Sequence, residues 1–510
     1  MGHIRGVTGR PAAGARIAAM SPRRIRGAGR AATILLVMCV GIASWARLAH
    51  AQGARGAEAA AARAHYLRGT RLEQQRDLAA AAAEYRAAID GDSAMAPAYD
   101  RLGFVLGLQG RTADAIAAFE QAVALQPGLA DAQYHLGATL WWTKDIAGAR
   151  RALERAVVLR PSHAESRYYL GLTRRQQGDL AGAIDDLRAA IKYDPRLAVA
   201  HLQLGVALQA WGDIDGAIDE LQRAVTLDPG RADAASSLGL AFIQKGDASR
   251  AVQTLRDAVQ RHPDFGSARL NLGTALLQAG DLDGAVDVYR KLTRREPANA
   301  EAFYDLGLAL KQKDEFEPAE AAFRTALRLD PSMPEAPYTL GVVLWQTGRA
   351  EEAIALFRES LARRPDYADA HYMLGTVFVQ QGDSDAALKE LRETIRLNAS
   401  SSEAYNSIGQ ILTRAHDAAG AAEAFAEAQR LNRIKADSQA AVFAVNAGIE
   451  RLKRNDVAGA VGKFREAVRL APDNAQAHYR LALALRRRGA AAEARTEYDA
   501  ARRLAPYLRW

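Results

Sequence analysis

The chain is 510 residues long, 49% hydrophobic and 25% charged, with a net charge of +8 and a single cysteine. One thiol excludes a disulfide-built scaffold. Eight arginines, with no lysine and no acid, lie within residues 1–51, and they account for the whole positive excess. The remainder is neutral, so the charge gives no footprint of a nucleic-acid-binding protein.

Those first 51 residues read as a secretory signal peptide. Arg5, Arg10, Arg16, Arg23, Arg24, Arg26 and Arg30 precede an uncharged apolar run from Ala31 to Ala46, and Ala49-His50-Ala51 supplies a small-residue cleavage site before Gln52. The run is shorter than the roughly 20 residues of a spanning helix, which favours cleavage after Ala51 over anchoring. Met20 is an alternative start that gives a leader of more ordinary length. Cys39 lies in the leader, so the mature chain carries no thiol. The expected location is the periplasm or cell envelope, with the membrane involved only through an uncleaved leader. Residues 52–61 form a short N-terminal segment of the mature chain.

From residue 62 to 508 the chain is an array. Glycine recurs every 34 residues from Gly69 and Gly103 through Gly205, Gly239, Gly273 and Gly307 to Gly409. Twelve residues after each stands an alanine, from Ala81 to Ala421. Leucine precedes the glycine in nine copies, and Tyr, Phe or Leu stands sixteen after it. With helical spacing, Leu102, Gly103 and Leu106 share one stripe, while Ala115, Phe119 and Ala122 share another. Each unit is therefore predicted to be two antiparallel helices whose backbones approach at the glycine and alanine, with the larger side chain filling the space. Gly110, Gly178, Gly212, Gly246, Gly280, Gly348 and Gly382 mark the end of the first helix, and Pro127, Pro161, Pro195, Pro229, Pro263, Pro297, Pro331 and Pro365 mark the end of the second.

Residues 62–435 hold repeats 1–11, residues 436–440 are surplus, and residues 441–508 hold repeats 12–13, where Gly448 and Ala460 resume the frame. Arg433 replaces the expected proline just before the surplus residues, and a kink or hinge is predicted there.

This pattern resembles the tetratricopeptide repeat, a 34-residue helix-turn-helix unit with Leu-Gly, Ala, aromatic, Ala and Pro at these offsets. The resemblance implies an all-α, right-handed α-solenoid with a concave groove that binds proteins or peptides. The periodicity alone establishes stacked helix pairs, none of which buries its apolar face without neighbours.

Groups for chemistry are sparse. His65, His201, His371 and His478 share one repeat phase, and no pair has ligand spacing, so no metal site is expected. Gly462-Lys463 is followed by Phe464 rather than a hydroxyl, so no phosphate loop is expected either. No cofactor and no catalytic residue are assigned, and the chain is read as a non-enzyme.

In the family the first helix of each unit lines the concave side. Two aromatic clusters fall on it: Tyr134, Trp141, Trp142, Tyr168 and Arg175, and then Tyr304, Tyr338, Trp345 and Tyr372. Such residues make binding hot spots, although tyrosine at this phase also packs between units. The expected function is an exported, non-enzymatic scaffold for protein partners or extended peptide segments. The alternative is a non-catalytic subunit of an envelope enzyme or secretion complex, and the oligomeric state is left open.

Overall fold

A computed structural model describes residues 56–505. The signal-peptide reading of residues 1–51 and the first residues of the 52–61 segment lie outside the described residues. No described helix is long and apolar enough to cross a membrane.

The described chain is helix after helix. The first, α1, covers residues 56–74. It is followed by α2 (Leu78–Gly91), α3 (Ala96–Leu108), α4 (Thr112–Leu125), α5 (Ala130–Trp142), α6 (Ile146–Leu159), α7 (Ala164–Gln176), α8 (Leu180–Tyr193) and α9 (Ala198–Trp211). Next come α10 (Ile214–Leu227), α11 (Ala232–Lys245), α12 (Ala248–Arg261), α13 (Gly266–Gln278), α14 (Leu282–Arg295), α15 (Ala300–Gln312), α16 (Phe316–Leu329) and α17 (Glu335–Gln346). The last are α18 (Ala350–Arg363), α19 (Ala368–Gln381), α20 (Ser384–Leu397), α21 (Ser402–Arg414), α22 (Ala418–Lys453), α23 (Val457–Leu470), α24 (Ala475–Arg487) and α25 (Ala491–Leu504). The chain divides into two compact units at Leu140 and Trp141, within α5.

Local chemistry sets the turns inside each pair. All seven glycines assigned to the end of the first helix have positive φ, for instance 77° at Gly110 and 92° at Gly212, where a side chain would crowd the following carbonyl. Asp213 then caps the second helix, accepting the N–H of Gly216 at 3.0 Å, and Asp179, Asp281 and Asp417 repeat the arrangement. In five copies a non-glycine residue takes the left-handed position: Arg76, Lys144, Asp314, His416 and Asn455.

Packing within a pair follows the small-residue stripe. A Cβ placed on Gly307 would lie 2.6 Å from the Phe323 ring. Ala319, twelve after that glycine, and Phe323 are both fully buried. Consecutive pairs then share one core, continuous from Ile184 to Ala424. In the second unit first helices also approach the next first helix, as α11 does α13 and α13 does α15, whereas second helices do not approach one another in this way. First helices therefore form the tighter, inner wall of that stack.

The surplus residues 436–440 extend a helix. Those residues lie inside α22, one helix of 36 residues. Its interior from Ala421 to Ala447 contains neither glycine nor proline and is rich in alanine, so nothing stops the second helix of repeat 11 from running into the first helix of repeat 12. The backbone is unbroken while the core is not, for a second apolar cluster begins at Ala441 and ends at Ala494. Arg480 in α24 bonds Asp215 at the start of α10 at 3.3 Å.

Candidate functional site

Aromatic side chains from the C-terminal end of α5 and from α7 meet in the second unit. Trp142, Trp141, Tyr169 and Tyr168 form an unbroken run of rings, with centroids 5.1, 5.7 and 5.1 Å apart and near-perpendicular planes. Trp142 is 68% exposed, whereas Trp141, Tyr168 and Tyr169 are half-buried. The indole Nε1 of Trp141 is buried and has no hydrogen-bond partner among the described residues, a donor that normally finds one.

Charges flank the Tyr168 end. Burial raises the Tyr168 hydroxyl above the usual phenol range, with Arg231, Arg175 and Asp233 close enough to act on it. Asp233 is already held by Arg231, Oδ2 to Nη2 at 2.9 Å. Arg175 is partly desolvated, which lowers its pKa, and it forms no ion pair among the described residues. Tyr134 lies in the first unit and stacks beside His135 at 5.2 Å. His135 itself is bonded to Asp100 at 2.7 Å.

The second predicted cluster is more tightly engaged. The Tyr304 hydroxyl bonds Thr339 Oγ1 at 3.1 Å, and its ring packs 5.5 Å from Phe323. Tyr338 sits 4.9 Å from Tyr367 and 6.0 Å from Phe357. Trp345 donates Nε1 to Gln380 in the next repeat at 2.7 Å. Tyr372 packs half-buried on the main core. These rings tie neighbouring repeats together.

Sequence reasoning passed over several groups here. Tyr169 falls two residues before its glycine, a phase that is otherwise mostly polar, and it bridges Trp141 to Tyr168. Tyr367 belongs to the loop before α19, with the Arg364 guanidinium 3.5 Å above its ring, so no helical period marks it. Asp305 is pushed up to about 7 by burial, with Glu301 adding like-charge repulsion and Tyr289 opposing through a hydrogen bond. No group of three or more metal-ligating side chains occurs among the described residues.

Tetratricopeptide-repeat models match residues 108–170, 171–212, 198–231 and 445–508, and the model of the cilia and flagella-associated protein 70 C-terminal domain matches residues 231–445. No curated protein matches the chain. Among solved structures it is similar to YrrB, described as a TPR protein with an unusual peptide-binding site, at 23% identity over 36% of this chain and 95% of that one, with a TM-score of 0.33. A tetratricopeptide repeat protein from Parabacteroides merdae ATCC 43184 is 15% identical over 49% of this chain and 98% of its own, with a TM-score of 0.42. The Cut9-Hcn1 hetero-tetramer of APC/C is 15% identical over 82% and 95%, with a TM-score of 0.37. Glycine and alanine at fixed phase, a plug residue sixteen after the glycine, stacked helix pairs and repeat models matched from residue 108 to 508 agree: the chain belongs to the tetratricopeptide-repeat proteins.

Proposed function

We propose that this tetratricopeptide array is an exported, non-enzymatic scaffold that holds an extended peptide segment of a partner protein against the inner wall of its second unit, in the periplasm or cell envelope. The fold is one that binds proteins or peptides. The observation that carries the reading is the run Trp142-Trp141-Tyr169-Tyr168, which ends in an exposed indole. Exposed and half-exposed rings bury large apolar area at small entropic cost. A carboxylate would neutralise Arg175, which forms no ion pair among the described residues. The favoured segment therefore carries an apolar or aromatic side chain and an acidic residue a few positions away. The basic leader with its Ala49-His50-Ala51 site supports export.

The test replaces Trp142 with a photo-crosslinking residue in the native host and identifies the captured peptides. Capture that falls when Trp141→Ala breaks the run of rings, or when Arg175→Gln removes the cation, supports the reading. Capture indifferent to both overturns it. Mass spectrometry of the mature N-terminus checks export: a chain starting at Gln52 supports it, and an intact leader on a cytosolic protein overturns it. An enzyme among the captured partners would make the chain its non-catalytic subunit.

A further inference from the structure

Two positions in the repeat report whether a neighbour covers it. The residue five before the glycine is covered by the preceding repeat: Ala200, Ala234, Ala268, Ala302, Ala336, Ala370, Ala404 and Ala477 are each 0% exposed. Ala64, in repeat 1, has no preceding repeat and is exposed. The residue sixteen after the glycine is covered by the following repeat: Leu221, Leu255, Tyr289, Phe323, Phe357 and Leu391 are each 0% exposed. Tyr498, in the last repeat, is half-buried.

By both measures α22 joins an end to a beginning. Phe425 in repeat 11 is half-buried like Tyr498, so repeat 11 closes a stack that nothing follows. Phe443 in repeat 12 takes the place of the alanine that is buried in repeats 5–11 and 13, and it is 74% exposed, so repeat 12 opens a stack that nothing precedes. Along α22 between them, Ile434 and Val442 are 50% and 51% exposed. The helix packs on α21 at one end and on α23 and α24 at the other. Its rigidity keeps the two open faces of one chain apart: Ala422 and Phe443 lie 21 residues apart in sequence, about 32 Å along the helix axis.

We propose that these faces are filled by a second copy of this chain, repeat 11 of each copy seating repeat 12 of the other across a twofold axis near the middle of α22. The occupant is fixed by complementarity. The two faces are the two halves of the repeat-on-repeat junction that this chain builds between its other units, so an antiparallel second copy offers to each face the kind of surface it lacks, twice over, in a closed dimer. Side-chain size agrees. Where six of the thirteen repeats carry a buried Ile or Val thirteen after the glycine, among them Ile218, Val252 and Ile354, repeat 11 has the exposed Ala422. That leaves room for a ring as large as Phe443, which a regular junction, closed on alanine, would not admit.

The test uses the full chain in a Cys39→Ser background carrying Ala422→Cys and Phe443→Cys. A disulfide requires Cα atoms under about 7 Å apart, so a straight α22 forbids the bond within a chain. A between-copy 422–443 disulfide, seen as a doubled mass on a non-reducing gel and mapped by peptide mass spectrometry, is expected. Light scattering of the unmodified chain should give a dimer, and Phe443→Asp, at an exposed site that leaves the helical signal unchanged, should weaken it by about tenfold or more. A within-chain disulfide, a monomer at all concentrations, or a dimer indifferent to Phe443→Asp overturns the proposal.

Discussion

His201 bonds Glu220, nineteen residues later, through Nδ1 at 2.6 Å, while its Nε2 reaches the Pro195 carbonyl at 3.1 Å. Both partners are acceptors, so both ring nitrogens donate and the imidazole is held protonated. The Glu220 bond is the main reason its pKa is raised. His371 with Glu390 and Pro365, and His478 with Glu497 and Pro472, repeat the clamp. Arg167 to Asp186 is its permanently charged form.

Because the folded pKa of His201 is raised, the clamp stabilises fully below about pH 6.5, the unfolded value, and is lost as pH rises through the folded value. His201→Ala should cost about 2 kcal/mol at pH 6, the loss of a charge-assisted bond in a buried site, and less at pH 9. Denaturant unfolding at the two pH values checks it, and a cost independent of pH would sink the protonated reading.

Much of this was legible in the sequence. The period, the left-handed glycines and the plug residues follow from one-dimensional spacing because each unit touches only its neighbours. The shared phase of His201, His371 and His478 was visible, but their carboxylate partners were not: nineteen residues separates two helices and matches no helical period. At the seam the repeat register alone does not give the local structure. Residues 436–440 are surplus when counted against the repeat, and an alanine-rich stretch without glycine or proline lets them extend a helix. Tyr169 and Tyr367 were missed because their roles depend on neighbours in other elements.

Asp305 faces Glu301 and the Tyr289 hydroxyl in a largely dry site, and its carboxyl is pushed up to about 7. The folded form binds the proton more tightly than the unfolded chain, so stability declines as pH rises from the unfolded value near 4 towards 7. Asp305→Asn is expected to stabilise the array by about 1–3 kcal/mol at pH 8 and to change little at pH 4. Unfolding at both pH values decides it, and destabilisation at pH 8 would mean that the charge is needed.

The Phe323 ring fills the gap opposite Gly307 and is fully buried. Phe323→Ala should cost about 3–5 kcal/mol through lost burial and the cavity left behind. Since nearest neighbours carry the stability of a stack, hydrogen exchange should accelerate first in α15–α18. Uniform acceleration along the chain would contradict that locality.

His416 has φ of 59° at a position where most copies have glycine. Replacing it with glycine relieves the crowding of Cβ at the cost of a more flexible unfolded chain. Relief of about 1–2 kcal/mol exceeds the entropic loss of under about 1 kcal/mol. His416→Gly should therefore be stabilising, and a lowered midpoint in a thermal melt would show the strain to be absent.

The division of the core along α22 has a thermodynamic consequence. Apolar packing couples repeats, and no apolar residue of α22 is buried between Leu431 and Ala441, so the C-terminal pair is joined to the main stack chiefly through exposed helix. The ion pair from Arg480 to Asp215 spans the two, with side chains 32% and 44% exposed, and such pairs contribute under about 1 kcal/mol. That is too little to enforce a single cooperative transition. In urea below the concentration that opens α14–α18, amides of α23–α25 should exchange through a separate, lower-energy opening, and Arg480→Ala should change that energy by no more than about 1 kcal/mol. One shared transition for both groups of helices would show that α22 transmits cooperativity through its backbone alone.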